Sequence, residues 1–266
     1  MSECTLQIRE FDPRAIEDRR VCLVIGKRNT GKSVLVKDLM YHKRHFPMGV
    51  VMSGTELVNG WYGKWVPDSF IYNDFDKKVI ESILERQRRL SKRNKAKNVF
   101  MVIDDCLYNK KLLHEKCMRE VFMNGRHYML HLWLTAQYIM DVPPDIRTQI
   151  DYVFVLKENN VQNRKRLYDT FFGMFPSFDT FCQVLDRCTE NYECLVLDQV
   201  TRSNKIEDQV FWYKARVRDN FRMGSPLFWR FHSNNYDPEH DERGALPLMT
   251  HRAKHRVLVT KETRDK

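Results

Sequence analysis

The stretch 22-CLVIGKRNTGKSVLVKDLM-40 decides the fold. It opens with an apolar strand, turns through Gly26, Lys27, Arg28, Asn29, Thr30, Gly31, Lys32 and Ser33, and continues as an amphipathic helix. Gly26, four residues, then Gly31-Lys32-Ser33 is the Walker A spacing, and its context of buried strand and following helix is the one that gives the pattern meaning. Two glycines let backbone N–H groups wrap a phosphate, and a helix starting near Lys32 adds the positive end of its dipole. In this reading Lys32 reaches the β and γ phosphates and Ser33 holds Mg²⁺.

A phosphate cradle needs an acidic partner on another strand. "VFMVIDDC" supplies one, with apolar residues from Val99 to Ile103 followed by Asp104 and Asp105. Two adjacent carboxylates after a buried strand are costly without a nearby cation. Asp104 fits the magnesium role, and Asp105 fits the position from which a carboxylate orients and deprotonates an attacking water. A third strand, "MLHLWLTAQ", ends in Gln137, an amide placed to sense a γ phosphate, since ligands of open α/β sheets sit at the carboxyl ends of strands.

The rest of the chain repeats this rhythm. Strands are expected at 21–26, 49–53, 70–72, 98–104, 130–137, 151–158 and 193–200, and helices at 32–45, 76–95, 112–124, 160–172 and 177–189. Alternating strand and helix give an α/β protein with a mainly parallel central sheet flanked by helices, and consecutive apolar positions mark strands covered on both faces. "VFWYKARV" (210–217) and "PLFWRFH" (226–232) read as late strands or an aromatic docking segment. Residues 1–235 form one domain in this reading. From about Tyr236 periodicity is lost, and 236–266 reads as a basic, mostly disordered tail.

The 266 residues carry a formal charge of +10, which favours a polyanionic partner or a merely solvated basic surface. The basic run 77-KKVIESILERQRRLSKRNKAK-97 keeps an apolar stripe (Val79, Ile80, Ile83, Leu84, Leu90) and turns Arg86, Arg88, Arg89, Lys92 and Arg93 to solvent, where they can meet DNA phosphates. Lys110 and Lys111 are a second candidate contact.

The seven cysteines form no close pairs and read as free thiols of a reducing compartment. Cys182, Cys188 and Cys194 fall on different faces of a helix, and His127 and His131 lie in a strand, so neither set is a ligand group. The N-terminus is too charged for a signal peptide, and no apolar run reaches the length of a membrane span, which gives the expectation of a soluble intracellular protein.

Walker A, the Asp-Asp pair and 124-NGRHYMLHLWLTAQYIMDVPPDIRTQIDYVFVLKE-158 together resemble the FtsK–HerA superfamily of P-loop ATPases. Within it they look most like the genome-packaging ATPases of nucleocytoplasmic large DNA viruses, of poxvirus and giant-virus type. "GVVMSGTE" and "VPDSFIY" extend the resemblance over about residues 20–200. It implies a RecA-like (ASCE) core with the Gln137 strand between the Walker A and Walker B strands. It implies ATP and Mg²⁺ as cofactors, and a homo-oligomeric ring with each ATP at a subunit boundary. It further implies double-stranded DNA as partner, capsid or inner-membrane virion proteins as docking sites, and the viral factory of the host cytoplasm, or the virion, as location. Arg126 of "NGRHYML" matches the family's trans-acting arginine, and Arg147 of "PPDIRTQID" is the alternative. Asp105 departs from the family, which more often has Glu there. A nucleotide or small-molecule kinase, a GTP switch using 204-NKIE-207 and a non-enzymatic scaffold remain as rival readings.

Overall fold

The computed structural model describes residues 6–109, 111–219 and 221–237. Cys4, Lys110 and the expected tail beyond Asp237 lie outside the described residues. Nine strands, β1 (Arg9–Glu10), β2 (Val21–Ile25), β3 (Met48–Ser53), β4 (Ile71–Tyr72), β5 (Val99–Asp104), β6 (Leu130–Ala136), β7 (Tyr152–Val155), β8 (Glu193–Asp198) and β9 (Val210–Lys214), form one sheet. Its order is β1-β9-β8-β7-β2-β6-β5-β3-β4. The stretch from β7 to β4 is wholly parallel, and β8 joins it antiparallel on both sides. The Gln137 strand, β6, pairs with β2 and with β5, so it lies between the Walker A and Walker B strands as the resemblance implies.

The helices among the described residues are α1 (Lys32–Tyr41), α2 (Glu56–Asn59), α3 (Lys77–Ser91), α4 (Lys116–Asn124), α5 (Pro144–Arg147), α6 (Val161–Phe171), α7 (Phe178–Cys188), α8 (Ile206–Gln209) and α9 (Pro226–Asn235), with short 3-10 turns between. Side-chain caps start several of them. Asp76 accepts from Lys78 N and Val79 N, Asn160 from Asn163 N, and Ser177 from Thr180 N. Along β2 every residue is buried, yet Leu23 and Ile25 belong to one core while Cys22 and Val24 belong to the other. The period-two alternation is present but hidden, because both faces are covered.

Several expectations need correction. The segment 226–232 is helical: Ser225 caps it, Pro226 sits at its first position, and these end signals outweigh the β preference of Phe228, Trp229 and Phe231. The strand expected at 151–158 stops at Val155. His127 lies in the 3-10 turn Gly125–Tyr128 rather than in β6. Arg86 is half-buried, its guanidinium donating to Gln87 Oε1 at 2.8 Å, because α3 lies deeper against the sheet than its apolar stripe indicated. Gln87 is itself fully buried and donates to Lys97 O and Tyr128 O.

The end of the described chain returns to the start. Asp38, on α1 and 0% exposed, accepts from Tyr213 Oη (2.5 Å), Arg216 N (2.8 Å) and Arg218 Nε (2.6 Å). Further on, Met223 N donates to Trp65 O, and Phe228 stacks near Phe70 with centroids 4.2 Å apart. The described cysteines are all free thiols, and among the described residues no helix is long and apolar enough to cross a membrane.

Candidate nucleotide-binding site

The loop after β2 is tied to the strands on either side. Gly26 N donates to Ala136 O at the tip of β6, and Leu156 N, just beyond β7, donates to Ile25 O. Gly26 must be glycine, since a Cβ there would stand 2.6 Å from Thr30 Oγ1 and 2.9 Å from the Leu156 side chain. Asn29 and Gly31 take left-handed conformations (φ 62° and 98°), which turn the chain into α1. Thr30 Oγ1 and Lys32 Nζ both donate to Lys27 O, at 2.7 and 2.9 Å. Lys27 in turn pairs with the buried Glu158 at 2.6 Å, just beyond β7. Burial lowers the Lys32 pKa, and the charges of Asp105 and Asp104 oppose that shift. Ser33 follows Lys32 in the first turn of α1.

Asp104 closes β5 and is 3% exposed. Its Oδ1 accepts from Thr135 Oγ1 at 2.7 Å and its Oδ2 from Tyr62 Oη at 2.9 Å. Burial raises its pKa, and these two donors act in the opposite direction. Asp105, at φ 53°, donates its backbone N–H to Thr135 Oγ1 (3.0 Å) and accepts from Gln137 Nε2 on Oδ1 (3.3 Å). One hydroxyl therefore fixes both aspartates, donating to the first and accepting from the second. Lys32, Asp104, Asp105 and Gln137 thus come together at adjacent strand tips.

Sequence reading named neither Thr135 nor Tyr62 as a site residue. Thr135 carried a signal, two positions before Gln137 on the same apolar strand. Tyr62 carried none, because a loop from the far side of β3 delivers it. Glu56 builds that loop by accepting from the backbone N–H groups of Trp61, Tyr62 and Gly63. The Lys27–Glu158 pair was also missed.

The two candidate arginines differ. Arg126 is exposed in the turn before β6, at the opposite end of the strand from Gln137 and about 20 Å from the cradle by strand rise alone. Its side chain makes no hydrogen bond or ion pair among the described residues. Arg147 lies at the tip side, half-buried, and donates to Val142 O (2.8 Å) and Ile139 O (3.3 Å), which occupies it in bracing its own loop. Of the expected DNA contacts, Arg88 is paired with Glu120 and lies over the Tyr128 ring, so it is not the open cation that was expected. Arg89, Lys92, Arg93 and Lys111 are exposed. Among the described residues no group of three or more His, Cys, Asp or Glu could hold a metal alone.

No protein-family model matches the chain. It is 38% identical over 253 residues to uncharacterized protein L437 of Acanthamoeba polyphaga mimivirus, covering 91% of this chain and 89% of that protein. Against uncharacterized protein 075L of Invertebrate iridescent virus 6 the identity is 32% over 249 residues, covering 88% and 96%. Among solved structures it resembles the genome packaging NTPase B204 of Sulfolobus turreted icosahedral virus 2 in complex with ATP-gammaS, with TM-score 0.54, 17% identity, and 77% and 98% of the chains covered. The pCW3 conjugation coupling protein TcpA with ATPgS gives TM-score 0.54 at 12% identity over 76% and 62%. At such identities the likeness is one of fold, and the fold is that of P-loop ATPases. The chain belongs to a family of proteins shared by mimivirus and the iridescent viruses, nucleocytoplasmic large DNA viruses, and has the P-loop ATPase fold that its motifs indicated.

Proposed function

We propose that the chain is a Mg²⁺-dependent ATPase that drives double-stranded viral DNA into a capsid, working as a ring with ATP at subunit boundaries. The observation that carries the ATPase reading is the single Thr135 hydroxyl that locks Asp104 and Asp105 beside Lys32, with Gln137 bonded to Asp105. B204, named a genome packaging NTPase, has the same fold, and this supports the packaging reading.

Each residue has a task. The backbone N–H groups of Gly26–Ser33 hold the β phosphate region, with Lys27, Arg28, Asn29 and Thr30 forming the wall of the loop. Lys32 leaves the neutral Lys27 O for the β and γ phosphates, an exchange favoured because a charged acceptor binds an ammonium more strongly than a carbonyl does. Asp105 accepts the proton of the attacking water, and Gln137 orients both. The donor set fits magnesium: Ser33 and Asp104 are hard oxygen ligands, and a cation offsets the burial that disfavours the Asp104 charge. When bound, Mg²⁺ neutralises charge on the β and γ oxygens. Arg126 is too far from its own cradle to act there, so it serves the neighbouring subunit's ATP. DNA backbone phosphates meet the exposed Arg89, Lys92 and Arg93, with Lys111 near the Walker B strand as a second contact. Capsid or inner-membrane virion proteins dock the ring, in the viral factory of the host cytoplasm or on the virion.

The test combines phosphate release with and without double-stranded DNA and a native mass measurement. DNA-stimulated ATP turnover by an oligomer is expected. A rate indifferent to DNA would favour a kinase, and a strong preference for GTP would favour a switch.

A further inference from the structure

We propose that Tyr192 is the platform on which the nucleobase stacks. The proposal rests on reading Gly26–Ser33 as the triphosphate cradle. Asp104, Asp105 and Gln137 all lie on the β6–β5 flank of β2, so the γ end of a triphosphate points that way. The nucleoside must leave on the opposite flank, where β7 and β8 stand.

Tyr192 stands on that flank, immediately before β8. A Cβ on Gly31 would lie 3.6 Å from Tyr192 Cδ1 and touch nothing else within 4 Å, so the ring borders the cradle with open space beside it. The ring is 72% exposed, and its hydroxyl makes no hydrogen bond among the described residues. Core packing therefore does not account for it.

The backbone points the same way. Glu193 N donates to Glu190 O at 2.8 Å, closing a turn whose central residues, Asn191 and Tyr192, both have positive φ (49° and 65°). Asn suits the first of these places and glycine the second. A tyrosine in the glycine place is strained, and such local violations are tolerated where the side chain is needed for function. A bare aromatic face beside a phosphate cradle suits any nucleobase, because every base offers a π face.

The experiment titrates the full chain, with Mg²⁺, with a non-hydrolysable ATP analogue, its GTP counterpart and tripolyphosphate. Tyr192→Ala should weaken both nucleotides roughly tenfold and leave tripolyphosphate unchanged, while Tyr192→Phe behaves as wild type. Tyr192→Gly should lose the same nucleotide affinity yet melt at or above the wild-type temperature, because glycine relieves the turn. Unchanged nucleotide affinity in Tyr192→Ala, an equal loss for tripolyphosphate, or a lower melting temperature for Tyr192→Gly overturns the platform. If tripolyphosphate binds wild type but not Lys32→Ala, the cradle stands whatever Tyr192 does. If wild type binds neither ligand class, both readings fail.

Discussion

The two ends of the central strands are built on different principles. At the carboxyl ends of β2, β5 and β6, charged groups are buried or half-buried and each is fixed by a named partner: Asp104 by the donors Thr135 and Tyr62, Asp105 by the donor Gln137, Lys32 by the acceptor Lys27 O. The amino ends carry, besides the paired Arg20–Asp151 and Lys43–Asp18, long exposed cations, Arg89, Lys92, Arg93 and Arg126, that reach into solvent. One end supplies geometry and the other supplies field. Removing one group should therefore be severe at the first end and graded at the second, Arg126 excepted.

The largest effect falls at the cradle. Lys32→Ala should abolish hydrolysis, read as phosphate release at saturating ATP. Arg126→Ala is the sharpest challenge to the contrast, since it lies at the solvent end yet should reduce turnover by about a thousandfold while leaving ATP binding intact. Mixing it with an Asp105→Asn subunit should restore part of the activity, and a mixture no better than its components would remove the shared site. Tyr62→Phe takes one donor from Asp104, and the Mg²⁺ concentration for half-maximal turnover should rise about tenfold. Because that donor lowers the Asp104 pKa, the acid limb of the pH–rate profile should also move up.

Stability offers a smaller test. His131 is fully buried in β6, and burial lowers its pKa to about 3. The unfolded chain takes up a proton near pH 6.5 while the folded one does not, so each pH unit below about 6 should cost about 1.4 kcal/mol. His131→Gln should flatten that slope in denaturant titrations at pH 7 and pH 5. Smallest of all, Lys92→Ala with Arg93→Ala should weaken DNA binding evenly across sequences and reduce its salt slope by about two. A sequence-dependent loss would mean that these residues read bases.

Much of the tip geometry was legible because it is written in short spacings. Gly26 to Ser33, Asp104-Asp105 after five apolar residues, and Gln137 at a strand end each carry their meaning locally. The place of β6 between its neighbours came from resemblance rather than from periodicity. Tyr62 and Glu158 were not legible, since each meets its partner across more than forty residues of sequence. The solvent cations were overcounted for a related reason: the groups that engage Arg88 come from α4 and the turn after it, which the pattern of α3 alone does not reveal. Of the two readings of 226–232, the strand fails because aromatic residues argued for it while the decisive Ser225-Pro226 lies at the edge of the aromatic run, and the aromatic docking segment fits Phe228 packed on Phe70.

Asp38 has a practical consequence for anyone who shortens this protein. The motifs end near residue 200, which invites a fragment trimmed to them. Such a fragment would strip Tyr213, Arg216 and Arg218 from a carboxylate with no access to water, on the helix that Lys32 begins. A minimal catalytic piece must run through Arg218, and an inactive shorter one would say nothing about the chemistry.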